Sequence, residues 1–257
     1  MSTPVQALPG EEVERLARRL RLPHLRRVAP EVLQTARAQR WDPAEVLRVL
    51  LLEELTGRDA AGRTHRREQA GFPTGKTLGS WEGTASAIVS ATQQALQTLE
   101  WVQRRENLVL CGPSGTGKSH FLEGLGHQAV DQGYRVVWCT LEQLGALVRS
   151  HRVDDTVGRS IERLLRADLV CLDDIGLLPV GADAAEGFFR LVDAGYERRS
   201  IAVSSNLHPS GFDQIMPKTL ATATVDRLLH HAHVVVTDGE SFRLAEALRG
   251  KGVVALT

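Results

Sequence analysis

The sequence predicts an α/β protein in which a parallel sheet of about five strands follows a small all-helical domain. From Asn107 onward, short β-branched apolar runs alternate with helical stretches, which is typical of a parallel sheet covered by helices. Residues 11–106 instead show helical periodicity. A length of 257 residues fits one large domain or two modest ones, so this division is consistent with the size of the chain.

The first part, residues 1–70, is predicted to be a helical domain. One of its helices is expected to begin at Asp42 and Pro43, which form an N-cap and first-turn pair, and to end at Gly57. Four glycines and one proline in residues 71–83 indicate a linker. A further helix over Ala85–Val102 is expected to lead into the rest of the second domain, residues 84–257.

Arginine is concentrated in the first part of the chain. Residues 15–67 contain 13 arginines and six acidic residues, a local excess of 13 − 6 = +7, although the formal net charge of the whole chain is zero. Such a segment can attract a polyanion, or it can form a solvated helical face. The charge alone leaves both interpretations open.

Five strands are predicted in the second part: Leu108–Cys111, Arg135–Thr140, Leu169–Asp173, Ile201–Ser205 and His233–Thr237. Three cysteines lie within these apolar runs without CxxC spacing, and they are expected to be buried free thiols: Cys111, Cys139 and Cys171. No apolar run approaches the roughly 18 residues of a membrane span, and the N-terminus has no apolar signal region. A cytoplasmic protein with no membrane partner is therefore expected.

A phosphate-binding motif follows the first strand and precedes a helical stretch. It fits the pattern G-x-x-x-x-G-K-[ST] at every fixed position and reads Gly112, Pro113, Ser114, Gly115, Thr116, Gly117, Lys118 and Ser119. The backbone N–H groups of such a loop surround a β-phosphate at the positive end of a helix dipole. Lys118 is expected to bridge the β- and γ-phosphates, and the Ser119 hydroxyl to hold Mg²⁺.

Polar side chains at the ends of two later strands complete this predicted site. Asp173 and Asp174 follow four apolar residues, the Walker B pattern, in which Asp173 orients the water ligands of the metal and Asp174 polarises the attacking water. Asn206 follows the fourth strand, where an amide can hold that water. The alternatives are a solvated turn for the acids and a helix cap or turn for the asparagine.

The order of these segments resembles the IstB-like ATP-binding proteins, AAA+ helper ATPases of insertion-sequence transposition that are related to the DnaC helicase loader. The resemblance rests on GPSGTGKSH, LVCLDDIG, SSN, DRLLHHAHVV and GESFRL. It implies a P-loop AAA+ fold for residues 84–257, with ATP and Mg²⁺ as cofactors and His120 as part of the nucleotide-binding motif. It also implies double-stranded DNA and a transposase as partners, and a homo-oligomer with ATP sites between subunits.

The resemblance also gives a role to Arg227, in DRLL, as an arginine finger that acts on the γ-phosphate of a neighbouring subunit. The alternative is an ion pair within the chain, to Asp226 or another surface acid.

Two features depart from common AAA+ practice. Asp174 is one methylene shorter than the usual glutamate, so we expect hydrolysis to be slow or to need stimulation. About 20 residues follow the last strand, so no full C-terminal lid is expected. Arg243 in GESFR either substitutes for the lid arginine or pairs with a nearby glutamate.

Other functions remain open at this point: replicative helicase loading, a small-molecule P-loop kinase, or a binding protein in which ATP is a structural ligand. His230, His231 and His233 are not expected to bind metal, because they have no carboxylate or cysteine companion at a known ligand spacing. Packing is favoured over adenine stacking for Phe72 and Trp81.

Overall fold

The computed structural model describes residues 9–176, 180–239 and 241–242. The chain divides into two compact units, Met1–His65 and Arg66–Thr257. The sequence analysis placed the boundary at residue 70, whereas the division between the units falls inside a helix that continues to Ala70.

The first unit is built from α1 (Pro9–Arg19), α2 (Pro23–Gln39) and the first part of α3 (Pro43–Ala70). A small apolar core joins the three helices, formed by Ala17, Leu25, Ala29 and Leu50. Asp42 caps α3 as predicted, since its Oδ1 accepts a hydrogen bond from the backbone N–H of Ala44 at 2.8 Å.

The predicted end of α3 at Gly57 is wrong, because the helix continues for 13 further residues to Ala70. Gly57 has a packing role instead. A Cβ atom at this position would lie 2.2 Å from Cγ of the His24 ring, so only glycine lets α2 and α3 approach this closely.

A buried carboxylate caps the start of α2. Leu22, at the N-cap, provides no side-chain cap, but Glu54 of α3 accepts hydrogen bonds from the backbone N–H groups of His24 and Leu25, both at 2.9 Å. Burial acts to raise the pKa of Glu54, but the hydrogen bonds from Leu25 and Arg58 outweigh it and lower that pKa. Glu54 therefore joins the two helices as a charged group.

The second unit contains a five-stranded parallel sheet, as predicted. Its strands are β1 (Asn107–Cys111), β2 (Val136–Thr140), β3 (Leu169–Ile175), β4 (Ser200–Ser205) and β5 (Ala232–Val236), each within two residues of its predicted bounds. Their order is β2-β3-β4-β1-β5. The carboxyl ends of the strands share one edge of the sheet, where open α/β folds bind ligands.

Helices cover both faces of this sheet. They are α4 (Ser90–Gln97), α5 (Glu100–Gln103), α6 (Lys118–Asp131), α7 (Leu141–Arg152), α8 (Val157–Leu164), α9 (Ala182–Gly195) and α10 (Lys218–Leu229). One apolar cluster includes Leu144, Ile161, Phe188 and Leu228, and the other includes Leu96, Trp101, Phe121 and Leu125. No helix in the described ranges is long and apolar enough to cross a membrane.

The three cysteines are buried free thiols, as predicted. Burial raises the pKa of the Cys139 thiol to about 12, so it stays protonated near neutral pH.

The single helix predicted over Ala85–Val102 is wrong. A short 3-10 turn (Gly83–Ala85) precedes α4, and α4 is separated from α5 by Leu99, whose φ of 60° is left-handed. Leu99 and Trp101 are both buried, and the Trp101 indole N–H donates to the carbonyl of Leu96 at 3.0 Å. The break allows the chain to bury both large side chains.

Candidate functional site

The P-loop connects the end of β1 to the start of α6. Gly112, with φ of 146°, opens the loop beside the end of β5, and a Cβ there would lie 2.1 Å from the carbonyl oxygen of Thr237. Only glycine fits this position. The Thr116 and Thr237 hydroxyl oxygens are 2.8 Å apart, so a side-chain hydrogen bond also joins the loop to the segment after β5.

Lys118 lies in the first turn of α6 and is 5% exposed. Its Nζ donates to the carbonyl of Pro113 at 2.7 Å, and the Thr116 hydroxyl donates to the same carbonyl at 3.0 Å. These bonds hold the ammonium group inside the loop, beside the N-terminus of α6. The loop therefore combines a lysine charge with the positive end of a helix dipole, an arrangement suited to a polyphosphate.

The two residues predicted to serve the metal are in direct contact. The Ser119 hydroxyl donates to Oδ1 of Asp173 at 2.9 Å, although 54 residues separate them in the chain. Asp173 is 6% exposed, so its carboxylate is buried beside this hydroxyl. Hydroxyl and carboxylate oxygens are ligands that Mg²⁺ prefers, and Mg²⁺ keeps several waters when it binds to one or two such groups. The pair fits the predicted Mg²⁺ site.

A β-bulge gives Asp174 a different environment from Asp173. The register between β3 and β4 shifts between Leu172 and Ile175, and Asp174 has a left-handed φ of 62°. Asp174 is exposed and lines a cavity, whereas its neighbour is buried. A bulge re-aims side chains next to functional sites, and strained backbone often marks them. The two carboxylates are therefore presented to different parts of the site.

A cavity of about 370 Å³ lies at the carboxyl edge of the sheet. The predicted residues that line it are Ser114, Gly115, Gly117, Lys118, Ser119, His120, Asp174 and Asn206. Gly112, Pro113, Thr116 and Asp173 are placed behind this lining and hold it through the contacts given above. The backbone N–H of Asn206 donates to Ile175 at 2.8 Å, which fixes the amide residue beside the bulge.

Arg227 does not line this cavity. Its Nε lies 2.9 Å from Oδ1 of Asp193, its guanidinium donates to the carbonyl of Ala223, and its Cζ is 5.7 Å from the centre of the Phe189 ring. An ion pair within the chain, the alternative interpretation, is therefore present, with Asp193 as the acid. The arginine-finger role stays a prediction. Arg243 lies outside the described residues.

Sequence reasoning missed part of the cavity wall. Lys76, Ser80, Trp81 and Glu82 also line it, and they belong to residues 71–83, for which a linker was predicted. The segment is part of the second unit and packs within it. Phe72 packs on His127 with ring centres 4.0 Å apart, which confirms its predicted packing role.

Trp81 packs within the second unit, as the sequence analysis favoured, and it also lines the cavity. Its ring packs beside His120 and Phe121, with ring centres 5.2 Å apart in each case, and its indole N–H donates to Gln93 at 2.9 Å. The same side chain lines the cavity. A signal was present in the sequence, because Thr74-Gly75-Lys76-Thr77 repeats the TGK pattern of the P-loop.

The histidines after α10 have a carboxylate neighbour that the sequence analysis did not find. Ligand atoms of Glu197, His230 and His231 lie within 4.8 Å of one another, and all three residues are exposed. Nδ1 of His230 is 2.9 Å from the Tyr196 hydroxyl, so this nitrogen already has a hydrogen-bond partner. The sequence shows no carboxylate at a known ligand spacing from these histidines, but the fold brings Glu197 beside two of them. The expectation that they bind no metal stays a prediction.

The sheet order, the P-loop after β1 and the acidic pair on β3 together define a P-loop α/β fold of the AAA+ class. The fold is similar to that of AMPPCP-bound DnaA from Aquifex aeolicus, with a TM-score of 0.53 and 23% sequence identity, over 70% of this chain and 56% of that one. It is also similar to the DnaC helicase loader, with a TM-score of 0.51 and 14% identity, over 64% of this chain and 98% of that one. At these identities the similarity shows a shared fold.

Residues 15–250 match the family described as IstB-like ATP binding protein, and the chain belongs to this family. The insertion sequence IS21 putative ATP-binding protein of Pseudomonas aeruginosa is 36% identical over 237 residues, which cover 91% of this chain and 89% of that protein. The predicted family resemblance is thereby confirmed.

Proposed function

We propose that this protein is an ATP-hydrolysing helper of insertion-sequence transposition that assembles on double-stranded DNA and regulates a partner transposase. ATP binds with Mg²⁺ at sites between subunits of a homo-oligomer in the cytoplasm, and hydrolysis triggers disassembly. The observation that carries the proposal is the Ser119–Asp173 contact at 2.9 Å, on a cavity that is also lined by Lys118 and Asp174. Membership of the IstB-like family favours transposition over helicase loading.

Each residue of the site has a distinct part in the proposed reaction. Lys118 would place a positive charge beside the β- and γ-phosphates, and Ser119 with Asp173 would hold a Mg²⁺ ion, which would neutralise charge on the phosphate oxygens. Asp174 accepts a proton from the attacking water, and the Asn206 amide orients that water. The reaction transfers the γ-phosphoryl group to water and releases ADP and inorganic phosphate.

DNA stimulation of ATP hydrolysis tests the proposed function. We expect slow release of inorganic phosphate by the protein alone and a faster rate with duplex DNA. Single-stranded DNA of the same length serves as the comparison. A rate that neither form of DNA changes would contradict the coupling of the ATP site to DNA.

Arginines of the first unit are proposed to provide the DNA contacts. Within the arginine-rich segment, residues 15–67, two arginines are poorly placed to contact DNA. Arg67 is paired with Asp131 at 2.6 Å, and the Nε atom of Arg66 is buried. Arg27, Arg37 and Arg40 are exposed, and within the described ranges none of them has a carboxylate within 4.0 Å. Unpaired, exposed guanidinium groups are better placed to contact phosphates.

Replacing Arg27, Arg37 and Arg40 together by glutamine should weaken DNA binding to all sequences alike. Each phosphate contact releases condensed counterions, so the slope of log affinity against log salt should become shallower by about 2 to 3. The measurement is a titration of fluorescent duplex DNA at several salt concentrations.

A matched triple variant serves as the control for this experiment. Arg15, Arg18 and Arg48 are also exposed, but they are paired with Glu12, Glu14 and Glu45. Their replacement by glutamine should change the slope much less. Equal slopes for the two triple variants would contradict the assignment of DNA contacts to the unpaired arginines.

Arg227→Ala should leave ATP binding nearly unchanged but remove DNA-stimulated hydrolysis, by a factor of about 10³ if Arg227 acts as an arginine finger. Mixing this variant with Lys118→Ala should restore part of the activity, because an intact P-loop then faces an intact finger. The readout is phosphate release by each protein alone and by the mixture.

Asp193→Asn is the control, since it breaks the same ion pair and keeps the arginine. A surface ion pair contributes at most about 1 kcal/mol, so an ion pair alone predicts that both substitutions leave turnover unchanged. Failure of the mixture to recover activity, with co-assembly verified, would mean that each site is complete within one subunit.

A further inference from the structure

Lysine is rare in this chain, and two of its lysines line the same cavity. Only four of the 31 basic residues are lysine, at positions 76, 118, 218 and 251, and the other 27 are arginine. Lys118 is the P-loop lysine. Lys76, which lies 42 residues earlier in the chain and outside the P-loop motif, lines the same cavity. Lysine carries a compact charge that suits a phosphate, whereas arginine suits planar, bidentate contacts.

A buried carboxylate holds the backbone around Lys76. Glu123 of α6 is 2% exposed and accepts hydrogen bonds from the backbone N–H groups of Thr74 at 3.0 Å, Gly75 at 2.6 Å and Lys76 at 3.2 Å. The Thr74 hydroxyl donates a fourth bond at 2.6 Å. A buried carboxylate is costly unless it is well bonded, and these four donors satisfy it. The Glu123 carboxylate thus holds the backbone of residues 74–76 in place through these hydrogen bonds.

The surface of α6 around Glu123 is shaped for this segment. A Cβ at Gly124 would lie 2.9 Å from the Leu78 side chain, and one at Gly126 would lie 2.7 Å from the Phe72 ring. Residues 72–78 therefore pack on α6, the helix that begins at the P-loop, at the positions of Gly124, Gly126 and the buried Glu123. The segment and the P-loop are positioned by the same helix.

The charges around the cavity leave Lys76 available to a ligand. In the part of the chain that the structure describes, no carboxylate lies within 4.0 Å of its ammonium group. Lys118 and the N-terminus of α6 also line the cavity and favour anions, and the carboxylates of the lining belong to Glu82 and Asp174. A polyphosphate carries several negative charges, so one of its phosphate groups could pair with Lys76 while another pairs with Lys118.

We propose that Lys76 is a second phosphate-binding lysine of the nucleotide site, and that Glu123 is the positioning residue that holds it there. Lys76 contacts the phosphate chain, while Glu123 acts through the backbone of residues 74–76 and touches no ligand. This inference rests on the proposed function, because it requires a nucleotide in the cavity. A wild-type protein that bound no ATP would overturn the proposed function itself, whereas the comparisons below test the inference alone.

Lys76→Ala is expected to lower ATP affinity about tenfold and AMP affinity much less, because the contact is to the phosphate chain. Lys76→Arg, which keeps the charge, should recover part of the loss. Lys218→Ala is the matched control, since Lys218 is an exposed lysine in the first turn of α10. The measurement is equilibrium binding of ATP, ADP and AMP to the full chain. Equal ATP affinities of Lys76→Ala and Lys218→Ala would overturn the proposal, as would equal losses for ATP and AMP.

Glu123→Gln tests the positioning role. We expect it to raise KM for ATP several-fold with kcat at saturating ATP unchanged, and to add nothing to the loss of ATP affinity in a Lys76→Ala background. Thr74→Val removes only the hydroxyl donor and should give a smaller shift of the same kind, which keeps the test available if Glu123→Gln folds poorly. Glu123→Gln and Thr74→Val are each combined with Lys76→Ala, and losses of ATP affinity that add fully in both combinations would mean that Glu123 has only a structural role.

Discussion

Lys118→Ala is expected to lower ATP affinity by about 100-fold. Lys118 is 5% exposed, and its ammonium is held inside the P-loop by the carbonyl of Pro113, so we expect it to meet the phosphates with little reorganisation. A charge-assisted contact of this kind contributes about 1.5–3 kcal/mol, a factor of roughly 10 to 150 in affinity. The measurement is equilibrium binding of a fluorescent ATP analogue, with circular dichroism to verify the fold.

Lys218→Ala again provides the control, because it removes the same charge from an exposed position on α10. It should bind ATP as the wild type does. A well-folded Lys118→Ala protein with wild-type affinity and turnover would mean that the P-loop is not the phosphate site.

Asp174→Asn is expected to bind ATP and Mg²⁺ normally but to hydrolyse ATP at least about 100-fold more slowly. Loss of a general base commonly costs a factor of 10² to 10⁴. Asparagine tolerates the left-handed φ of 62° found at this position, so the substitution preserves the bulge. The variant should accumulate as an ATP-bound assembly on DNA, which is measured by the nucleotide content of the isolated complex.

Asp173→Asn is the matched substitution one residue earlier. It is expected to weaken Mg²⁺-dependent ATP binding itself, because Asp173 is bonded to the Ser119 hydroxyl at 2.9 Å. The comparison is a Mg²⁺ titration of ATP binding by both variants. Equal effects on ATP affinity would show that the two carboxylates do not divide the roles in this way.

Much of the fold and the site depends on local sequence. Buried parallel strands require short β-branched runs, and the P-loop requires a fixed order of glycines, lysine and serine within eight residues. For the same reason, the apolar runs that precede Asp173 and Asn206 predict that both residues lie near the carboxyl ends of strands. A motif of this kind is determined by residues that are adjacent in the chain.

The features that sequence reasoning missed depend on residues that are far apart. Glu123 meets the Thr74 backbone across 49 residues, and Glu54 meets His24 across 30 residues. Gly57 was interpreted as a helix end, because its packing against another helix is invisible in the sequence. The left-handed Asp174 depends on the register of β3 with β4, which no local pattern fixes.

The residues 71–83 illustrate how composition can mislead. Their glycines and proline are typical of a linker, but here Gly124 and Gly126 of α6 let the segment pack closely on that helix, and its backbone N–H groups bind a buried acid. The TGK pattern that residues 74–76 share with the P-loop is visible in the sequence. Its position beside the cavity depends on the hydrogen bonds to Glu123, which the sequence does not show.

A single-turnover experiment tests the central claim most directly, with the protein in excess over ATP and with Mg²⁺ and duplex DNA present. We expect the wild-type protein to convert bound ATP to ADP and inorganic phosphate, and Asp174→Asn to retain ATP over the same period. Bound ATP that persists unchanged in the wild-type protein would contradict the account and indicate a structural nucleotide. Phosphate recovered on a small-molecule acceptor instead of as inorganic phosphate would contradict it as well.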